Sequence, residues 1–221
     1  TDADGRVTVP GFYDRVRELS PAERTDFGRA PFCEAAFCKS IGVRETAGEK
    51  GYSTMERIGV RPSLDVNGIW GGYTGEGAKT IIPSKAHAKI SMRLVPDQDY
   101  REIGRLFAEH FRSIAPRSVR VDVEVLHGGF PYVCPTDLPA YRAAARAVER
   151  TFGRKPLPYY SGGSIPIIST FEKELGVKSV LLGFGLDRDA IHSPNESYGL
   201  ENFLRGIETI VWFYREFAAG R

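Results

Sequence analysis

Four features of this chain have residue types and spacings suited to chemistry. His192 stands in AIHSPNE, residues 190 to 196, directly after LDRD and just beyond the apolar run SVLLGFG. Imidazole is a common zinc ligand, and the region past the carboxyl end of a strand is where open α/β sheets keep their ligands. Asn195 or Glu196 could orient the ring from a second layer; the alternative is a loop histidine bonded to backbone. YYSGGSIPI, residues 159 to 167, is the second feature. Gly162 and Gly163 let backbone approach a ligand closely, and a helix opening near Ile165 behind Ser164 offers free amides and a positive dipole end. A helix N-terminus favours an exposed anion by about 0.3 to 1 kcal/mol. That is enough to orient a carboxylate but not to hold it alone, and a plain turn and cap would read the same way. Arg93, beside Ser91 on the polar side of a strand, could clamp a carboxylate with two parallel hydrogen bonds, or simply face water. Thr80, in GEGAKTIIPSK before that strand, carries the least information by itself.

The elements that must position these residues follow from periodicity. SLDVNGIW alternates from Ser63, with Leu64, Val66 and Trp70 on one side, the pattern of a half-buried strand. Ala86, Ala88, Ile90, Met92 and Leu94 alternate with Lys85, His87, Lys89, Ser91 and Arg93, and VDVEV at 121 to 125 repeats the pattern. Three amphipathic strands predict an antiparallel sheet. Between the second and third, Ile103, Leu106, Phe107, Phe111 and Ile114 fall at spacings of three, four, four and three, a helix with one apolar face. After Pro135 the texture changes. TDLPAYRAAARAVERTFG predicts a helix with an early proline; GGSIPIISTFEKELG predicts another, capped by Ser164 and ended by Gly176. KSVLLGFG predicts a strand covered on both faces. The last helix carries Leu200, Phe203, Leu204, Ile207, Val211 and Tyr214 on one stripe. This alternation is that of a layered α/β segment, so a boundary falls near Tyr132, between an α+β module over 1–132 and an α/β segment over 133–221. Residues 1 to 60 are less legible, with one helix expected near 20 to 28. Their aromatics, Phe12, Tyr13, Phe27, Phe32, Phe37 and Tyr52, are expected to pack beneath the sheet.

Composition narrows the partners. The 221 residues are 42% hydrophobic, enough for a sizeable core. Lysine and arginine exceed aspartate and glutamate by only 30 minus 28, so charge points neither to nucleic acid nor to an anionic membrane. Cys33, Cys38 and Cys134 lack CxxC spacing, which speaks against a disulfide framework or a thiolate zinc site and for a reducing cytoplasm. No apolar stretch approaches the roughly 18 residues needed to span a bilayer. The chain opens on Thr1, not methionine, and has no basic and apolar leader, as would follow from a cleavage or from its being the later portion of a longer polypeptide.

One resemblance joins the four features. GGYTGEGAKTIIPSKAHAKISMRLVP, then GGSIPI, then AIHSPNE, in this order, resemble the later half of the dinuclear zinc metallopeptidases of the carnosinase, aminoacylase and acetylornithine deacetylase family, closest to the cytosolic dipeptidase branch. The interval of 28 residues from Ser164 to His192 agrees with that branch. The resemblance implies an α+β lid and dimerisation domain over 1–132, a ferredoxin-like antiparallel sheet with helices on one face, lacking its first strand and helix. Residues 133–221 would be the C-terminal part of an α/β zinc-peptidase catalytic domain. It implies that His192 is a terminal ligand of one of two zinc ions, with manganese as a possible replacement. Thr80, Arg93, Gly163 and Ser164 would bind the substrate. It implies amide hydrolysis assisted by two metal ions, and a homodimer joined through the lid sheet. The family's HxD ligand motif, bridging aspartate, Glu-Glu pair and DLHSG-like lid segment have no counterpart here: no HxD, EE or DD occurs in the chain. No catalytic residue is therefore assigned to it, and the missing N-terminal catalytic half becomes its expected partner.

Three functions compete at this stage. The first is a C-terminal fragment of a zinc-dependent dipeptidase acting on dipeptides or small peptides, inactive alone. The second, with the same carboxylate grip, is an N-acyl amino acid deacylase. The third is a non-catalytic dimerisation or binding module using the polar sheet face of His87, Lys89, Ser91 and Arg93 or an unpaired sheet edge.

Overall fold

The computed structural model describes residues 1–162 and 165–220, apart from the side chain of Asp26. In chain order its elements are α1 (Pro21–Phe27), α2 (Glu34–Ile41), α3 (Thr54–Gly59), β1 (Ser63–Gly71), β2 (Ala86–Arg93), α4 (Tyr100–Ser113), α5 (Pro139–Phe152), α6 (Ile167–Leu175), a 3-10 turn at Asp187–Asp189, and α7 (Leu200–Ala219). They fall into two compact units, Thr1–Tyr132 with Tyr159–Ser169 and Val133–Pro158 with Thr170–Arg221. No described helix is long and apolar enough to cross a membrane.

The first unit is built on the β1–β2 antiparallel pair, with Ser63 opposite Arg93, Leu64 opposite Met92 and Val66 opposite Ile90. Leu64 and Met92 face a core of Val7, Val9, Phe12 and Ile103, joined by Tyr13, Leu94, Leu106 and Phe107. Of the early aromatics, Phe12 and Tyr13 reach this core; Phe27 instead stacks on Tyr160, and Phe32 pairs with Phe37. Buried Gln98 joins the exit of β2 to the amino-terminal segment, accepting from Val95 N at 2.9 Å and donating to Phe12 O at 2.8 Å. Asp99 then caps α4 by accepting from Arg101 N.

Two expectations for this unit are corrected. The ladder shifts register between Val66 and Gly68, and the extra residue of a bulge reverses the alternation beyond it. Trp70 is therefore opposite His87, with the rings stacked at 5.0 Å, on the polar side and not with Leu64 and Val66. The third expected strand, VDVEV, joins no ladder among the described residues. Val123 O accepts from the Arg112 guanidinium, and Val125 lies against Gly104 of α4. The segment thus leans on α4, with one carbonyl bonded to a helix side chain and Val125 packed on Gly104.

The second unit centres on α5 against α7. Ala143, Ala144 and Ala147 are almost wholly buried, as are Gly206 and Thr209; small side chains let the helix backbones come close. Arg146 pairs with Glu216 at 2.6 Å, and the Arg150 guanidinium lies 3.4 Å from the Trp212 ring centroid. Here the expected seam of α7 is inverted. Its stripe of Leu200, Phe203, Leu204, Ile207, Val211 and Tyr214 is exposed, while the packed side carries Asn202, Arg205, Gly206 and Thr209. KSVLLGFG forms no strand either. A ladder needs a neighbouring strand, and among the described residues none pairs with it. The segment instead leans on helices, with Phe184 stacked on Phe152, touching Gly206, and accepting from Asn202 through its carbonyl. Leu181 stays 53% exposed, not covered on both faces.

Candidate functional site

In the first unit, β2 delivers Arg93 at its last residue, opposite Ser63. Its guanidinium Nη1 donates to the carbonyl of Gly162. Two of the features singled out in the sequence, the strand arginine and the start of the glycine stretch, are thus brought together. The glycine is needed for steric reasons: a Cβ at Gly162 would fall 2.5 Å from Ile58 O. A Cβ at Gly59 would likewise fall 2.6 Å from Tyr160 O, and Tyr160 stacks on Phe27 with ring centroids 5.7 Å apart. The YYSG segment is therefore pinned on the end of α3, with Arg93 holding its last carbonyl. Gly163 and Ser164 lie outside the described residues. Thr80 is exposed in the connection between β1 and β2 and makes no hydrogen bond to a described residue.

The same unit holds a buried charge cluster that the sequence did not disclose. Arg61, with 4% of its side chain exposed, makes two parallel 2.8 Å bonds to Glu49, itself 5% exposed, and a third to Glu18. Tyr52 and Tyr13 stack over the guanidinium at 4.2 and 5.3 Å. Tyr52 donates its hydroxyl to the other Glu18 oxygen at 2.7 Å. This hydrogen bond, with Arg61 next, holds the Glu18 carboxyl below the usual carboxylate range. Burial pushes the Tyr13 and Tyr52 hydroxyls up. Arg6 also lies 3.3 Å from a Glu49 oxygen, so the cluster ties the amino-terminal segment, Glu18 and residues 49–61 together.

His192 belongs to the second unit, exposed in a tight loop after the Asp187–Asp189 turn. Ala190, His192 and Asn195 all have left-handed backbone, with φ of 54°, 62° and 62°. For L-residues this conformation costs about 1–2 kcal/mol each, less for asparagine, so the surroundings must impose it. They do so through Ser193 N to Ala190 O at 2.8 Å, Glu196 N to Ser193 O at 3.2 Å and Ser197 N to Asp189 O at 2.9 Å. Asp189, 3% exposed, accepts from Leu186 N through its carboxylate at 2.8 Å. No hydrogen bond joins the imidazole to Asn195 or Glu196 among the described residues. Asp189 escaped the sequence reading; the only signal available was an aspartate three residues after Leu186, the spacing of a side chain closing a turn.

No group of three or more His, Cys, Asp or Glu side chains able to hold a metal ion occurs among the described residues. A structural or catalytic zinc takes three or four protein ligands. One exposed imidazole supplies one of these, so among the described residues those around His192 do not by themselves make up a metal centre.

Comparison with known proteins supplies the context. The model of Peptidase family M20/M25/M40 matches residues 19–216. The Cys-Gly metallodipeptidase of Schizosaccharomyces pombe is 31% identical over 220 residues, 98% of this chain and 46% of that protein. The human Beta-Ala-His dipeptidase is 28% identical, over 98% of this chain and 43% of that protein. Among solved structures, a di-peptidase from Saccharomyces cerevisiae superimposes with a TM-score of 0.86 at 28% identity, covering 99% of this chain and 46% of that one. An M20 family metallo-carboxypeptidase from Sulfolobus solfataricus gives 0.83 at 27% identity, covering 98% and 49%. The chain thus spans about half the length of the relatives it matches, and its fold is that of the corresponding part of these α/β enzymes. A family match running over nearly the whole of both units, with solved relatives of the same fold, places the chain in peptidase family M20/M25/M40.

Proposed function

We propose that this chain is the carboxy-terminal part of a metal-dependent dipeptidase that hydrolyses the peptide bond of dipeptides or small peptides. The observation that carries the reading is the family match over residues 19–216 together with relatives named as dipeptidases. In this reading 1–132 is the lid and dimerisation domain and 133–221 the last segment of the catalytic domain. Arg93, Thr80, Gly163 and Ser164 bind the substrate's carboxylate or amide, as a guanidinium already turned toward the glycine stretch supports. His192 is one ligand of one of two zinc ions, manganese being a possible substitute, with the remaining ligands and the proton-moving carboxylate supplied from outside the chain. The exposed apolar stripe of α7, a surface suited to the missing catalytic half, supports that division. Dimerisation through the β1–β2 sheet and a cytoplasmic location complete the proposal, the latter supported by three free thiols.

The test is an assay with Cys-Gly, β-Ala-His and N-acetyl amino acids, with added zinc or manganese. It compares the 221-residue chain with a polypeptide extended upstream to include HxD and Glu-Glu motifs. Hydrolysis of dipeptides by the longer protein alone is the expected result. Exclusive cleavage of the acetyl amino acids would make it a deacylase. An upstream sequence without those motifs would leave the binding module.

A further inference from the structure

We propose that Asp189 is a positioning residue for His192, a buried clamp that fixes the loop presenting the imidazole. This rests on the reading of His192 as a site residue, but its argument is geometric. Between Gly185 and Gly199, Asp189 is the one fully buried residue, while Asp187, Arg188, Ile191 and His192 are exposed. Its N–H, its carbonyl and one carboxylate oxygen are spent on the loop. Its N–H donates to Leu186 O at 2.9 Å, its carboxylate accepts from Leu186 N at 2.8 Å, and its carbonyl accepts from Ser197 N at 2.9 Å. The first two bonds close the entry to the loop, and the third ties entry to exit. Three left-handed non-glycine residues lie between those ties, a conformation that relaxes unless its ends are fixed. Gly185 contributes on the other side: a Cβ there would come within 3.3 Å of the Ile191 side chain and 3.8 Å of the Asp189 carboxylate. Two of these ties are backbone bonds; the carboxylate adds the other, fixing residue 189 at the loop entry so that the chain beyond it presents residue 192 in one direction without touching its ring.

Isotope-labelled 221-residue chain allows a direct test by NMR, with no metal involved. In D189A the Leu186 and Ser197 amides should lose protection from hydrogen exchange by about ten-fold or more, with α5 and α7 unchanged. His192 should also lose the strong intraresidue HN–Hα Overhauser effect that a left-handed φ produces. D189N keeps an acceptor oxygen and should hold both readouts within about three-fold of the parent. Retention of the His192 signature and both amides in D189A overturns the proposal. So does an equal loss of protection throughout α5 and α7, which marks a general structural role. Should D189A fail to fold, D189N decides alone: a folded variant without the left-handed signature overturns the proposal, and one that keeps it supports the clamp. Failure here leaves the metal-ligand reading of His192 standing. That reading falls separately if H192A in the upstream-extended protein binds zinc and hydrolyses dipeptides as the parent does.

Discussion

Arg61 carries more of the first unit's organisation than any side chain considered for catalysis. A buried guanidinium matched in parallel to a buried carboxylate is expensive to form and more expensive to break, because removing one partner leaves the other desolvated and unpaired. R61M should therefore destabilise by about 3–5 kcal/mol in urea denaturation. R61K, which keeps the charge but cannot make the paired bonds to Glu49, should fall between parent and R61M. A loss in R61M no larger than that of an ordinary surface substitution would mean that Arg6, already 3.3 Å from Glu49, is partner enough for its carboxylate. Glu18 adds a pH dependence of known sign. Its carboxyl is held below the usual range in the folded chain, chiefly by the Tyr52 hydroxyl. Its contribution is thus present above the ordinary glutamate pKa of about 4.3 and lost as pH falls through the lower folded value. The stability difference between the parent and E18Q should shrink on acidification from neutrality, and a difference that grew would contradict the assignment.

At the scale of elements, periodicity found α4 and α7 because each shows its apolar residues at helical spacing, and α5 was found by its early proline, with Gly153 at its other end. It missed α3, although Ser53 and Glu56 form a reciprocal capping box that was visible as a serine followed three residues later by glutamate. The bulge at residues 66–68 was not legible, since one inserted residue leaves local alternation looking regular while reversing the faces beyond it. The packed side of α7 was misread for a related reason. Periodicity reports which face is greasy, not which face meets a neighbour, and α5 meets Gly206, Thr209 and Trp212 of α7, not the Leu200–Tyr214 stripe. A147L, at a wholly buried position, should overpack the helix pair and cost about 1–3 kcal/mol in thermal or urea melts. I207E, on the exposed stripe, should stay within about 0.5 kcal/mol in this chain. The reverse order would restore the stripe as the internal seam.

For the whole molecule, the family was legible because its local motifs survive in half the length, whereas the metal centre was not, because a metal's ligands are gathered by the fold from distant stretches. His192 illustrates the limit. Its loop has a strained, cross-bonded backbone, and among the described residues no group of three or more candidate ligands includes it. An exposed imidazole alone binds divalent zinc weakly, since tight protein sites need three or four donors. Native mass spectrometry of the 221-residue chain, exchanged into equimolar zinc, should therefore find well under one retained ion per chain, and H192A should not change that figure. Two ions held stoichiometrically, and lost in H192A, would mean that the chain assembles a complete centre by itself and is an enzyme without its other half. Tight zinc indifferent to H192A would place the metal elsewhere and separate this chain from the family's chemistry while leaving its fold intact.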